Sequence, residues 1–141
     1  MQVETILQSK GRAVTTVGPG ATIAEAVQLL NAKRIGAVVV TDNGKVVGIL
    51  SERDVVRHLG TDWTALAQRP VRDVMTRNVI SSGRDATVAD VMERMTEHRI
   101  RHLPIVENGE LVGIVSIGDV VKRKIEETEF EATALKEYIA S

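Results

Sequence analysis

Glycine, serine and aspartate recur in this chain at one fixed spacing. Gly48-Ile49-Leu50-Ser51-Glu52-Arg53-Asp54 is followed, at an offset of 65 residues, by Gly113-Ile114-Val115-Ser116-Ile117-Gly118-Asp119. Each stretch follows a β-branched apolar run and opens an amphipathic segment, the pattern of a strand running into a helix N-terminus. The glycine lets a ligand or another backbone come close. The Ser and Asp fall in the first helical turn, beside N–H groups without intrahelical acceptors and the positive end of the helix dipole. A hydroxyl and a carboxylate so placed can hold the hydroxyls of a sugar, with an anion next to them. Ser-x-x-Asp before an apolar run is equally the form of a capping box, which needs no ligand. Thr22-x-x-Glu25 and Thr87-x-x-Asp90 share that form and are read as helix caps alone.

Other chemistries find little support. The chain has no cysteine, which removes disulfides, thiolate catalysis and Cys-based zinc sites and fits a reducing cytosol. His98 and His102 stand four apart, but Leu103-Pro104 follows directly, so the pair spans a helix end and a strand and does not form one ligating helix face. His58 is read as solvated on a polar helix face. No Ser/His/Asp order and no converging carboxylate pair stands out, and Gly18-Pro19-Gly20 lacks the Lys-Ser/Thr of a P-loop and is a turn. An enzyme is therefore not expected, and neither a catalytic residue nor a metal ligand is assigned. A formal charge of −1 gives no general pull toward duplex nucleic acid or acidic lipid. Only Trp63, Phe130 and Tyr138 are aromatic, and all lie outside the repeated stretches, so a base-stacking platform is not expected. The N-terminus has neither the basic nor the apolar region of a signal peptide, and no apolar run reaches membrane-spanning length; a cytoplasmic protein without membrane association is the expectation.

The elements that must position the two motifs follow from periodicity. Val3 to Leu7 reads as a short helix and Val14 to Val17 as β-rich. Thr22 caps a helix through about Lys33, with Ile23, Ala26, Val27, Leu29 and Leu30 as its apolar stripe. Residues 37–41 form a continuous apolar strand, buried on both faces. Asn43-Gly44 is a type I′ hairpin signal, because both residues tolerate positive φ. A strand from Val46 to Leu50 returns, and a helix runs from Glu52 to about Leu59. Residues 61–70 read as a connector with Trp63 as a packing plug. The unit is β-α-β-β-α, and it occurs twice. Residues 21–60 align with 86–125 without a gap, matching among others Thr22/Thr87, Arg34-Ile35/Arg99-Ile100, Asn43-Gly44/Asn108-Gly109 and Asp54-Val55-Val56/Asp119-Val120-Val121. Val71 to Met75 echoes Val3 to Leu7, with three extra residues in the first copy. Duplication predicts an α/β (α+β) fold of two similar units about a pseudo-twofold axis. The expected divisions are residues 1–67, 68–127 and a helical tail, 128–141. In that tail, where helix is expected throughout, Val121, Ile125, Thr128, Ala132, Leu135 and Ile139 make a heptad-like seam, whereas Thr128-x-x-Glu131 is a possible start for a separate helix.

The assembled pattern resembles the cystathionine-β-synthase (CBS) domain. Val71-x-x-x-Met75, the helix openings at Thr22 and Thr87, Ile100-x-x-Leu103-Pro104-Ile105, the two Asn-Gly turns and Gly-Ile-x-Ser-x-x-Asp carry the likeness, and a tandem pair resembles a Bateman module. The likeness covers nearly all of residues 1–125. It implies a disc-like module, paired with a second copy as a homodimer, whose clefts bind AMP, ADP, ATP, NAD(H) or S-adenosylmethionine and which regulates an unidentified protein. A ligand-independent dimerisation or docking scaffold is the alternative. By the same resemblance Ser51 and Asp54 serve one cleft and Ser116 and Asp119 the other, each Asp holding ribose hydroxyls. Thr16, Val17, Ile80 and Ser81 would line the base pockets, and the strand starts at Ile35, Gly36 and Ala37 and at Arg101, His102 and Pro104 would contribute from the partner repeat. The halves differ: Arg101-His102 stands where the first repeat has Gly36-Ala37, and Arg53 stands where the second has Gly118. The two clefts are thus expected to differ in ligand or affinity, with Arg101 and His102 toward phosphate.

Overall fold

A computed structural model describes residues 1–140. The chain runs α1 (Val3–Lys10), β1 (Thr16–Val17), α2 (Ile23–Lys33), β2 (Ala37–Asp42), β3 (Lys45–Ser51), α3 (Glu52–Leu59), α4 (Trp63–Gln68), a 3-10 turn (Val71–Asp73), α5 (Val88–His98), β4 (His102–Glu107), β5 (Glu110–Ser116) and α6 (Ile117–Ala140). The hairpins form as the Asn-Gly pairs require. Asn43, Gly44, Asn108 and Gly109 have φ of 53°, 79°, 51° and 80°, the doubly positive φ of a type I′ turn. Thr22 and Thr87 cap α2 and α5, their hydroxyls accepting from the N–H of Glu25 and Asp90.

The repeats differ in their sheets. β1, β2 and β3 form a three-stranded sheet, with β1 parallel to β2; β4 and β5 form a pair alone. In the first repeat the Val39 N–H donates to the Thr15 carbonyl. The position equivalent to Val39 is Pro104, which has no N–H to give. The second repeat's counterpart of β1 is therefore reduced to one parallel bridge between Ser82 and Ile105.

Two cores hold the repeats, and each borrows from the other half of the sequence. The first gathers Ile23, Leu30, Val38, Val40 and Leu50 with Val71, Val74 and Met75. The second gathers Val88, Met95, Leu103, Ile105 and Val115 with Val3, Ile6 and Leu7 of α1. The crossed segments explain the motif glycines. A Cβ at Gly113 would stand 2.6 Å from Leu7 Cδ2, and one at Gly48 would stand 2.5 Å from Met75 Sδ and 3.1 Å from the Thr76 carbonyl oxygen. Close approach is what these glycines permit, and the visitor is an apolar side chain of the crossing segment.

Two local expectations are corrected. Trp63 is no packing plug: it opens α4 with 43% of its surface exposed, and Leu66 is the residue of that helix that enters the core. Residues 61–70 are accordingly not a bare connector, since the Asp62 carboxylate caps α4 by accepting from Ala65 N–H. The tail is helical as expected, and no separate helix starts at Thr128. No Gly or Pro interrupts residues 119–140, so α6 continues as one helix of 24 residues.

Candidate ligand cleft between the repeats

Both motifs fold as capping boxes. In the first, the Ser51 hydroxyl accepts from Asp54 N–H (3.3 Å) while Asp54 Oδ2 accepts from the Ser51 N–H (2.9 Å) and hydroxyl (3.0 Å). Asp54 Oδ1 also accepts from the Thr76 hydroxyl at 3.2 Å, and the residue is only 9% exposed. Three donors use three of the roughly four lone-pair directions of a carboxylate, and two of these donors are hydroxyls that can rotate. Asp54 therefore retains acceptor capacity for a ligand hydroxyl.

Asp54 opens onto a cavity of about 460 Å³ between the two repeats. The first repeat supplies Gly36, Ile49, Ser51, Glu52, Arg53, Asp54 and Arg57. The crossing segment supplies Thr76, Asn78 and Ile80, and the second repeat supplies His98 through His102 with Pro104. Arg53, Arg57, Arg99 and Arg101 meet only two carboxylates there, Glu52 and Asp54. Guanidinium groups bind phosphate through two parallel N–H donors, so this excess of cations favours an anionic ligand. The size suits a nucleotide-scale ligand, within the usual range of about 300–1,000 Å³.

The second motif is built alike and partnered differently. Asp119 N–H donates to the Ser116 hydroxyl (3.2 Å), and Asp119 Oδ2 accepts from Ser116 N–H (2.9 Å). The same oxygen is held at 2.6 Å by the Lys10 ammonium, which also donates to the Ile114 carbonyl at 3.0 Å. Burial raises the pKa of Asp119, but the Lys10 hydrogen bond, the Ser116 N–H and the Lys10 charge outweigh it and leave the carboxyl below its ordinary value.

His102 sits at the seam of the two motifs. It begins β4 opposite Ser116, and its ring lies so close to Gly36 that a Cβ there would meet Cε1 at 2.8 Å. Burial lowers its pKa most; Glu52 and Asp119 pull it up, Lys10 and Arg101 push it down, and the balance lies below the ordinary 6.5.

Of the candidates read from the sequence, Gly36, Ser51, Arg53, Asp54, Ile80, Arg101, His102 and Pro104 line this one cavity. Thr16, Val17, Ile35, Ala37, Ser81, Ser116, Gly118 and Asp119 lie outside it. Thr16 and Val17 pair with Val39 and Val40, and Ala37 pairs with Ser51. Ser81 hands its carbonyl to Arg94 on α5. Sequence reasoning missed Arg57, Arg99, Thr76 and Asn78. Arg57 was within reach, one helical turn after Arg53. So was Arg99, identical to Arg34 in the other repeat; both residues end a helix in the left-handed region, at φ 55° and 53°. Thr76 and Asn78 gave no signal, because only the crossing of the segment brings them to the cavity. Among the described residues no group of three or more His, Asp or Glu is arranged to hold a metal ion.

Comparison with known proteins returns the same likeness. The CBS domain profile matches residues 10–61 and 71–126. The chain is 37% identical over 107 residues to the CBS domain-containing protein YhcV of Bacillus subtilis, covering 76% of each. It superposes with a TM-score of 0.84 and 48% identity on the CBS-domain protein ATU1752 of Agrobacterium tumefaciens, covering 88% of this chain and 99% of that one. The CBS domain pair of MJ0100, solved with 5′-methylthioadenosine and S-adenosylmethionine, superposes at 0.79 with 28% identity over 90% of this chain and 98% of that one.

Proposed function

This chain belongs to the CBS-domain family, and from that premise we propose that it is a regulatory module, not an enzyme, that binds an adenosine nucleotide between its two repeats. One observation carries the reading: the cavity joins the Ser51–Asp54 pair of one repeat to Arg99, Arg101 and His102 of the other. Asp54 accepts the ribose hydroxyls, and the arginines take the phosphates. The related MJ0100 pair supports an adenosyl ligand, since it binds methylthioadenosine and S-adenosylmethionine. The charge of the cleft selects within that class. A sulfonium ligand would bring positive charge toward Arg53, Arg57, Arg99 and Arg101, whereas AMP, ADP, ATP and NAD(H) bring negative charge. A nucleotide spanning both repeats would stabilise their relative position, which is the property a regulator transmits to a partner.

Calorimetry with AMP, ADP, ATP, NADH, S-adenosylmethionine and adenosine tests this. Phosphate-bearing ligands should bind more tightly than S-adenosylmethionine. Arg101→Ala should weaken them roughly 10- to 100-fold, the loss of one charge-assisted contact, and spare adenosine. Tight binding of S-adenosylmethionine with indifference to Arg101 would overturn the phosphate assignment. If none of the six binds, the ligand-independent scaffold becomes the better reading. The exposed apolar residues of α6, Phe130, Leu135 and Ile139, would favour it.

A further inference from the structure

The two motifs share the Ser-to-Asp capping contacts and differ in what meets the aspartate. At Asp54 the side-chain partner from the crossing segment is a neutral hydroxyl, Thr76. At Asp119 it is an ammonium, Lys10. The cause lies in the crossing segments. Val71–Asp73 makes only a 3-10 turn, whereas Val3–Lys10 makes a full helix, and the first copy carries three extra residues before its strand. The longer helix, anchored by Leu7 against Gly113, delivers its last residue to Asp119. Lys10 then bonds both the carboxylate and the Ile114 carbonyl, so it is held at two points.

We infer that Lys10 is a specificity-determining residue that closes the second motif to sugar hydroxyls, so that the chain holds one nucleotide where its duplication provides for two. The inference rests on the nucleotide reading above. A ribose diol grips a carboxylate with both hydroxyls, and on Asp119 it would have to displace from Oδ2 a donor of full positive charge. An ammonium–carboxylate contact is stronger than the neutral hydroxyl contacts that would replace it. Asp54 asks for no such displacement. Entry of a ligand at Asp119 would detach the C-terminal end of α1 from β5, so the closed motif also ties α1 to the second repeat.

The test is the number of AMP molecules bound per full-length chain, measured by calorimetry and equilibrium dialysis. The parent should bind one, lost in Asp54→Asn and kept in Asp119→Asn. Lys10→Met, which keeps the aliphatic stem and removes the donor, should bind two, the second abolished by adding Asp119→Asn. Lys10→Arg should keep a cation at Asp119 and bind one. Circular dichroism would show that Lys10→Met retains the parent fold. Two equivalent sites in the parent, a parent site that depends on Asp119, or a Lys10→Met protein that still binds one would each overturn the inference. Should the parent bind none while Lys10→Met binds one through Asp119, the Asp54 site falls and the closure by Lys10 stands. AMP binding to neither protein overturns both.

Discussion

Two residue types carry most of the consequence at the scale of single side chains. Gly48 and Gly113 look interchangeable in sequence, yet their neighbours differ in how far they can yield. A methyl at Gly113 meets the flexible end of Leu7; at Gly48 it meets Met75 and also the Thr76 carbonyl oxygen, which is pinned by paired hydrogen bonds to Ile49. Overpacking costs about 1–3 kcal/mol, so Gly48→Ala should fall at the upper end and Gly113→Ala at the lower. Urea unfolding of the two variants checks the order; equal losses would contradict it. The second consequence concerns pH. His102 has a folded pKa below its ordinary 6.5, so the unfolded chain takes up this proton first as pH falls. Stability from this group is therefore complete above about pH 6.5 and is lost as pH drops toward the folded value. Asp119, also lowered, adds stability above its ordinary 3.8 that is lost further into acid. His102→Gln should flatten the stability profile between pH 7 and 5 and leave the acid limb in place, as read by denaturation midpoints across pH. A profile unchanged by the substitution would mean that His102 stays hydrated.

Elements show where duplication ends. The same Asn-Gly turns and threonine caps recur, but Pro104 removes the donor that β1 uses in the other repeat, and the matching strand is reduced to a bridge. Pro104→Val restores that N–H and should add protection to amide exchange at residue 104 without loss of stability; an unprotected amide there would show that the segment before α5 cannot close. α6 is the other asymmetric element. Residues 128–140 are exposed throughout, so they do not pack on their own repeats. Truncation after Glu127 should leave the unfolding midpoint at low concentration and the nucleotide affinity nearly unchanged. We propose that the seam serves association, so the loss should appear only in the dimer equilibrium, followed by sedimentation.

The whole molecule is two cores fastened by exchange. Leu7 is fully buried in the second repeat although it precedes the first, so Leu7→Ala should cost about 2–5 kcal/mol and unfold both repeats together. Separate melting of the repeats by residue-resolved amide exchange would contradict that coupling. The outer faces suggest a mate. Val55 and Val120 turn into the cores, while Val56 and Val121 at the adjoining positions remain outside with Leu59 and Ile125. We propose that a second copy covers these faces through a closed twofold contact. Light scattering at micromolar concentration should report a dimer, and Val56→Asp should shift it toward the monomer. A monomer at every concentration would remove the proposal. No helix among the described residues is long and apolar enough to cross a membrane.

The duplication, the type I′ turns, the caps, the paired Ser-x-x-Asp boxes and the family were legible in the sequence. Each depends on neighbours within a few residues or on the chain's similarity to itself. Ser51, Asp54, Arg101 and His102 could be named through the family resemblance that this pattern carries, and Arg57 and Arg99 were within reach of helix spacing and the repeat alignment. Only the tertiary structure decided which of them meet. The arginines of both repeats line one cavity with Asp54, because the repeats face each other there. Thr76 reaches that carboxylate and Lys10 reaches the other because the segment before each repeat crosses into its neighbour's core. That crossing leaves no periodic mark, since Val3 to Leu7 and Val71 to Met75 present the same apolar pattern whichever core receives them. Whether a motif stands open to a ligand or is filled by the protein's own ammonium was therefore decided by long-range packing.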